Sequence, residues 1–348
     1  MGNNFCCGKS NSPLTNNFLF QINRFIPKSN SNSNSNLDSN TFSNNINLDN
    51  INDNNNNNNL KENLISEKGK YKFLFYDIKQ NQKLIMEKKI EIIKTVEGLS
   101  ELNLEQNLYL CGNNRLEDNE GSFLFEISPF TPKATILVNA IYEHYYPALI
   151  AFDNNFLLCI GGKNQIHCEC YNIEEKYWTQ IPDLPEERYR CTLCLDSKND
   201  MIYLFGGINN KKQSFNNNEI YIENNNILRL KKEMYMSWEK IEINNENEKN
   251  LLNRISASSL IFDDQEDNIY IFGGENQQNI FLQDIIKFDI NTFSIIRTNQ
   301  KLKFPTIFLN QFAKKCDKYT YVFFDKFNNV IKIDEHDYIQ WSYHLLEI

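Results

Sequence analysis

Histidine is scarce in this chain, with four residues in 348, at positions 144, 167, 336 and 344. No Gly-x-Ser-x-Gly elbow, His-Glu-x-x-His helix or Gly-x-Gly-x-x-Gly turn is present. The chain therefore lacks the signatures of α/β hydrolases, zinc proteases and dinucleotide-binding enzymes. Gly8-Lys9-Ser10 ends like a phosphate loop, but that loop needs glycine five positions earlier, and position 3 is asparagine. No apolar run approaches the roughly 20 residues of a membrane-spanning helix. A positive stretch followed by an apolar core, the mark of a secretory signal, is also missing. A reducing compartment without disulfides is the expectation. Clustered Lys and Arg are lacking too, and the net charge is −9, so nucleic acid is not an expected partner. Lys211-Lys212 and Lys231-Lys232 are local exceptions that read as solvated loop charge.

Glycine is equally sparse, and half of its twelve residues fall in three adjacent pairs: Gly161-Gly162, Gly206-Gly207 and Gly273-Gly274. Each pair closes a short apolar run, namely 156–160, 201–205 and 269–272. Each such run follows another that ends in an aspartate turn, at Asp153, Asp196 and Asp263. The unit recurs at roughly 45–50 residues, with one enlarged interval, and reads as four strands. Glycine accepts positive φ and lets the chain leave an inner strand without a Cβ clash.

The unit resembles the kelch repeat. In its best copy, 147–190, two apolar strands at 148–152 and 156–160 precede Gly161-Gly162. Tyr171-Asn172 on a third strand, Trp178 on a fourth and a late arginine, Arg188 or Arg190, then stand at the kelch positions. A second copy, 191–254, carries Gly206-Gly207 and Trp238, with strand three at Leu228 onward. Its extra residues, 208–226, are read as a loop between strands two and three. A third copy, 256–298, carries Gly273-Gly274 and Phe288-Asp289, with Phe293 in place of the tryptophan. Fainter copies lie at 104–139, with Gly112 alone, and at 307–348, with Trp341 and no glycine pair. Segment 71–93 reads as strands three and four of a further unit lacking its inner half; the apolar run 18–22 is a weak candidate for another strand.

The expectation is an all-β, kelch-type β-propeller of six four-stranded blades over 70–348, the first incomplete. Such a size suits one domain. Residues 11–69 form an Asn/Ser-rich tether, with six asparagines at 54–59, too polar to offset its chain entropy and so expected to be disordered.

Residues 1–10, Met-Gly-Asn-Asn-Phe-Cys-Cys-Gly-Lys-Ser, are similar to dual-acylation signals. Gly2 would take myristate after Met1 is removed, and Cys6 or Cys7 palmitate. One chain binds reversibly and two bind stably. The resulting localisation is the cytoplasmic face of a membrane.

His167, Cys168, Cys170, Cys191 and Cys194 invite a zinc reading. Yet Cys191 and Cys194 point to opposite faces of a strand, and zinc ligands sit on turns at closer spacing. They read instead as buried small hydrophobes. Asp183, Glu186 and Glu187 read as solvated. No metal, cofactor or catalytic residue is assigned. The expected function is a non-catalytic scaffold that binds another protein and meets the membrane through acyl chains. Two alternatives are an enzyme using the central pocket, as in galactose-oxidase-like propellers, and a substrate-recognition subunit of a ubiquitin ligase. Loops between strands two and three share one face with the connections between blades, and loops on rigid scaffolds carry binding. Lys211, Lys212, Phe215 and Arg254 are the contact candidates there.

Overall fold

Residues 18–23, 70–77 and 82–89 are described by the computed structural model, as is 98–346 outside short gaps, of which the longest are 113–121, 253–258 and 307–313. Side-chain environments are described only within 98–306.

The chain is all-β and built of antiparallel sheets. Sheet 1 has three strands, β1 (Phe18–Asn23), β2 (Lys70–Asp77) and β3 (Gln82–Lys89). Sheet 2 follows with β4 (Leu99–Leu104), β5 (Asn107–Gly112), β6 (Phe123–Ile127) and β7 (Ala134–Ile136). Sheet 3 holds β8 (Ala148–Phe152), β9 (Phe156–Gly162), β10 (Gln165–Asn172) and β11 (Tyr177–Ile181). Sheet 4 begins with β12 (Thr192–Asp196) and β13 (Met201–Phe205). A separate hairpin, β14 (Ile208–Phe215) with β15 (Asn218–Glu223), interrupts it before β16 (Ile227–Lys231) and β17 (Trp238–Ile241) complete it. A short helix, α1 (Glu246–Leu251), leads to sheet 5: β18 (Ser259–Asp263), β19 (Asn268–Phe272), β20 (Asp284–Asp289) and β21 (Ile295–Lys301). Sheet 6 is β22 (Lys314–Lys315), β23 (Thr320–Phe324), β24 (Val330–His336) and β25 (Gln340–Leu346).

Unbroken apolar runs such as Leu157-Leu-Cys-Ile160 follow from burial on both faces of a sheet. Successive side chains of a strand point to opposite sides. Leu157 and Cys159 accordingly pack into one cluster with β4, β5 and β6, while Leu158 and Ile160 pack into another with β12, β13 and β16. A third cluster joins sheets 4 and 5 through Tyr203, Phe205, Ile269, Ile271, Ile286 and Phe288. Each of these apolar cores thus lies between neighbouring sheets. The first strands of successive sheets run side by side, β4 against β8, β8 against β12 and β12 against β18.

The tight turns are set by short polar side chains. Asp196 Oδ1 accepts from the Lys198 and Asn199 amides at 2.9 and 3.2 Å, and Asp289 Oδ1 accepts from Asn291 and Thr292 at 2.8 and 3.0 Å. Such acceptors satisfy turn N–H groups that the sheet leaves open.

Two expectations, those for 208–226 and for Phe293, are corrected. Segment 208–226 is not an open loop but the hairpin β14–β15, whose alternating Ile220-Tyr-Ile222 pairs with β14. The connection after sheet 4 contains α1, capped by the Asn245 side chain, which accepts from the Asn247 amide. Phe293 does not sit on strand four. By register Ile295 faces Phe288 as Trp178 faces Tyr171, and Phe293 reaches Phe288 from the preceding turn, its ring stacked at 6.3 Å. The run 18–22 does supply a strand, β1, paired to β2 within the stretch assigned to the tether.

Candidate functional site

The glycine pairs mark the ends of the second strands of sheets 3, 4 and 5, where the chain turns beside the connections between sheets. All six have positive φ, as does Gly112. At Gly161 the reason is direct. Its φ is +62°, and a Cβ there would meet the Arg188 carbonyl oxygen at 2.6 Å. Next to it, the Gly162 amide donates to that carbonyl at 3.0 Å. The glycines thus let the connection between sheets 3 and 4 lie flat on the end of β9.

Arg188 leads that connection inward. It is wholly buried, and its side chain crosses Gly207, where a Cβ would meet Arg188 Cγ at 2.7 Å. The guanidinium donates to the carbonyls of Gly206 and Asn226, each at 3.2 Å, to Asn226 Oδ1, and to Glu186 Oε1 at 2.9 Å. Asn226 Nδ2 donates to the same Glu186 oxygen at 3.1 Å. Burial lowers the Arg188 pKa from its ordinary value; the fields of Cys191 and Glu186 act the other way. Glu186 is therefore not merely solvated: it is the counter-ion of a buried arginine. Asn226 ends the hairpin segment and Ile208 begins it. Ile208 and Tyr189 exchange backbone hydrogen bonds at 2.9 and 3.2 Å. Both ends of the hairpin are thus pinned to the connection between sheets 3 and 4.

The tryptophans do for neighbouring sheets what the arginine does for the connection. Trp178 Nε1 donates to the Val138 carbonyl at 2.7 Å and Trp238 Nε1 to the Pro182 carbonyl at 3.0 Å. Each carbonyl lies just past the outer strand of the preceding sheet, so each indole ties one sheet to the next. Tyr171 is buried with its ring 5.1 Å from Trp178, and burial raises its pKa.

One buried polar cluster had no sequence signal beyond a lone histidine. His144 Nδ1 meets the Gly161 carbonyl at 2.6 Å and Nε2 meets Glu169 Oε2 at 2.8 Å, with both side chains fully buried. Glu169 also accepts from the Ile141 and Tyr142 amides at 2.8 and 3.1 Å. The Ser122 hydroxyl donates to the His144 carbonyl at 3.0 Å and accepts from its amide. The cluster secures the connection between sheets 2 and 3.

His167 pairs with Asp183 rather than with thiols, at 3.0 Å. Cys168, Cys191 and Cys194 are buried in the apolar clusters, and Cys191 and Cys194 do fall in different ones. Burial pushes the Cys168 thiol up to about 12 and the Cys191 thiol up to about 11. Among the described residues no three His, Cys, Asp or Glu side chains converge as a metal site would require.

Lys211, Lys212 and Phe215 lie in β14 and Trp341 in β25, but their side chains are outside the described set. Gly2, Cys6, Cys7 and Arg254 lie outside the described residues altogether. Among the described residues no helix is long and apolar enough to cross a membrane.

No protein-family model matches the chain, and no curated protein does. Solved structures do resemble it. One, described as "Structure of YjhT", superposes with a TM-score of 0.59 at 9% sequence identity, covering 80% of this chain and 95% of that one. At that identity the likeness concerns the fold alone, which for this chain is a series of four-stranded antiparallel sheets, as in β-propeller-like folds.

Proposed function

We propose that the six sheets close into one kelch-type, six-bladed propeller and that it serves as a non-catalytic protein-binding scaffold. Acyl chains on Gly2 and on Cys6 or Cys7 would hold it at the cytoplasmic face of a membrane. Closure is supported by β1, which lies beside both β4 and β23 and so neighbours the second and the last sheet. The kelch reading is supported by the positive-φ glycine pairs and by the two indole ties between sheets.

One observation carries the scaffold reading. The insertion after Gly207 is a β-hairpin pinned at its base by Arg188, Glu186 and Tyr189. A hairpin held this way costs a partner little ordering entropy on binding. It stands on the face where the connections between sheets gather, with Lys211, Lys212 and Phe215 as its contact candidates.

Deleting Lys211–Asn218 tests this. The shortened chain keeps the base of the hairpin and should melt like the full chain. In quantitative affinity capture it should lose roughly tenfold or more of any partner bound through a contact centred there. Equal recovery of every partner by a folded, shortened chain would place the binding surface elsewhere.

A further inference from the structure

Three residues open the first strands of sheets 2, 3 and 4, and all three have left-handed backbone: Gly98 (φ +78°), Tyr146 (φ +55°) and Arg190 (φ +54°). They form a chain of hydrogen bonds around the inner strands. The Tyr146 amide donates to the Gly98 carbonyl at 2.9 Å, and the Arg190 amide to the Tyr146 carbonyl at 3.3 Å. Sheet 2 fills this place with glycine, which adopts it freely. Sheets 3 and 4 fill it with large side chains that must hold a strained backbone. Strain of this kind persists where a side chain is needed at that point.

The two side chains meet. The Arg190 guanidinium lies over the Tyr146 ring, 5.0 Å from its centre, and Tyr145 packs edge-on against Tyr146 at 4.7 Å. Arg190 is half-buried. The other arginines whose side chains are described each have a carboxylate: Arg188 has Glu186, Arg229 has Glu239 and Arg297 has Asp284. Among the described residues, Arg190 alone of these has none, and its guanidinium makes no hydrogen bond. This happens in a chain of net charge −9, where carboxylates are plentiful. Contact with the face of Tyr146 restrains the guanidinium, and a guanidinium that spends no donor inside the chain can grip a carboxylate through two parallel hydrogen bonds. Tyr189, the residue before Arg190, is hydrogen-bonded to Ile208 at the base of the hairpin.

We infer that Arg190, oriented by Tyr146, is the receptor for a carboxylate, and that this carboxylate is an Asp or Glu side chain on a segment of the partner that lies across the hairpin base. The inference rests on the scaffold reading and names the chemistry its partner must carry.

The test selects a random-peptide display library on the folded full chain, on Arg190→Gly and on the Lys211–Asn218 deletion, and separately titrates free N-acetylglutamate. Peptides selected by the full chain should share an Asp or Glu at one position. Replacing that residue by its amide should weaken binding roughly tenfold or more. Arg190→Gly should lose the same peptides yet melt no lower than the wild type, because glycine relieves the backbone; a merely structural arginine would give the opposite melting result. Selected peptides that carry no common acid and bind Arg190→Gly equally, but fail on the deletion, would overturn the carboxylate receptor and leave the scaffold standing. Saturable binding of N-acetylglutamate without any peptide would overturn the partner as the source and the scaffold with it.

Discussion

Glu169→Gln is the sharpest perturbation of the buried polar framework. The carboxylate accepts three hydrogen bonds, from the Ile141 amide at 2.8 Å, the Tyr142 amide at 3.1 Å and His144 Nε2 at 2.8 Å. Nδ1 of His144 faces a carbonyl and so carries a proton; a further proton lies between Nε2 and the carboxylate. Glutamine is nearly isosteric but replaces one acceptor oxygen with a donor. With its oxygen turned to Ile141, its amide nitrogen faces the Tyr142 N–H and His144 Nε2. The amide nitrogen offers neither of these donors an acceptor. An orphaned donor of this kind costs about 1–3 kcal/mol. Two such orphans together cost about 2–6 kcal/mol. A net loss of about 3 kcal/mol follows, or about 6–12 °C in melting temperature at this size. The assay is thermal and urea unfolding of the full chain beside Glu143→Gln, an exposed neighbour expected to stay within about 0.5 kcal/mol. If the two variants unfolded together, the three-way acceptor role of Glu169 would be refuted. A cycle with His144→Gln should show the pair strongly coupled.

Gly207→Val would place a Cβ 2.7 Å from Arg188 Cγ and 2.9 Å from Cys191 Cβ at φ +96°, and should cost roughly 3 kcal/mol or more; an unchanged melting curve would contradict the crossing of Arg188 over this glycine. Burial raises the Cys168 and Cys191 thiols to about 12 and about 11, so both remain protonated below those values. Iodoacetamide at pH 8 should leave them unlabelled in the folded chain and label them in urea; prompt labelling of the folded chain would count against their burial. Gly2→Ala should shift the protein from the membrane to the soluble fraction, and identical fractionation of both forms would dismiss the acyl anchor.

Much of the strand order was legible because the inner strands of the sheets whose side chains are described are buried on both faces. Runs such as 148–152, 156–160 and 201–205 are apolar without interruption, and each ends at a residue that turns chains, Asp or the Gly pair. That signal is local, so it survives in a single sequence. The apolar run of β1 marked a strand but alone said nothing of its partner β2. The hairpin was missed because 208–226 is rich in Asn and Lys, which favour loops; its pairing follows from alternation in β15 that only registers against β14. Phe293 was misplaced for a related reason, since strand register is set by pairing with β20 and not by the spacing of aromatics.

What the sequence by itself determined is the strands of the repeated units, the turns between them and the positive φ at the glycine pairs, all of which depend on neighbours along the chain. The tertiary structure alone decided which polar groups meet. His144 and Glu169 are 25 residues apart, Arg188 and Asn226 are 38 apart, and Arg190 reaches Tyr146 across two connections. A buried charge needs a partner wherever the fold can supply one, and that requirement leaves no spacing in the sequence. For the same reason the lack, among the described residues, of a carboxylate beside Arg190 became visible only once the sheets were set side by side.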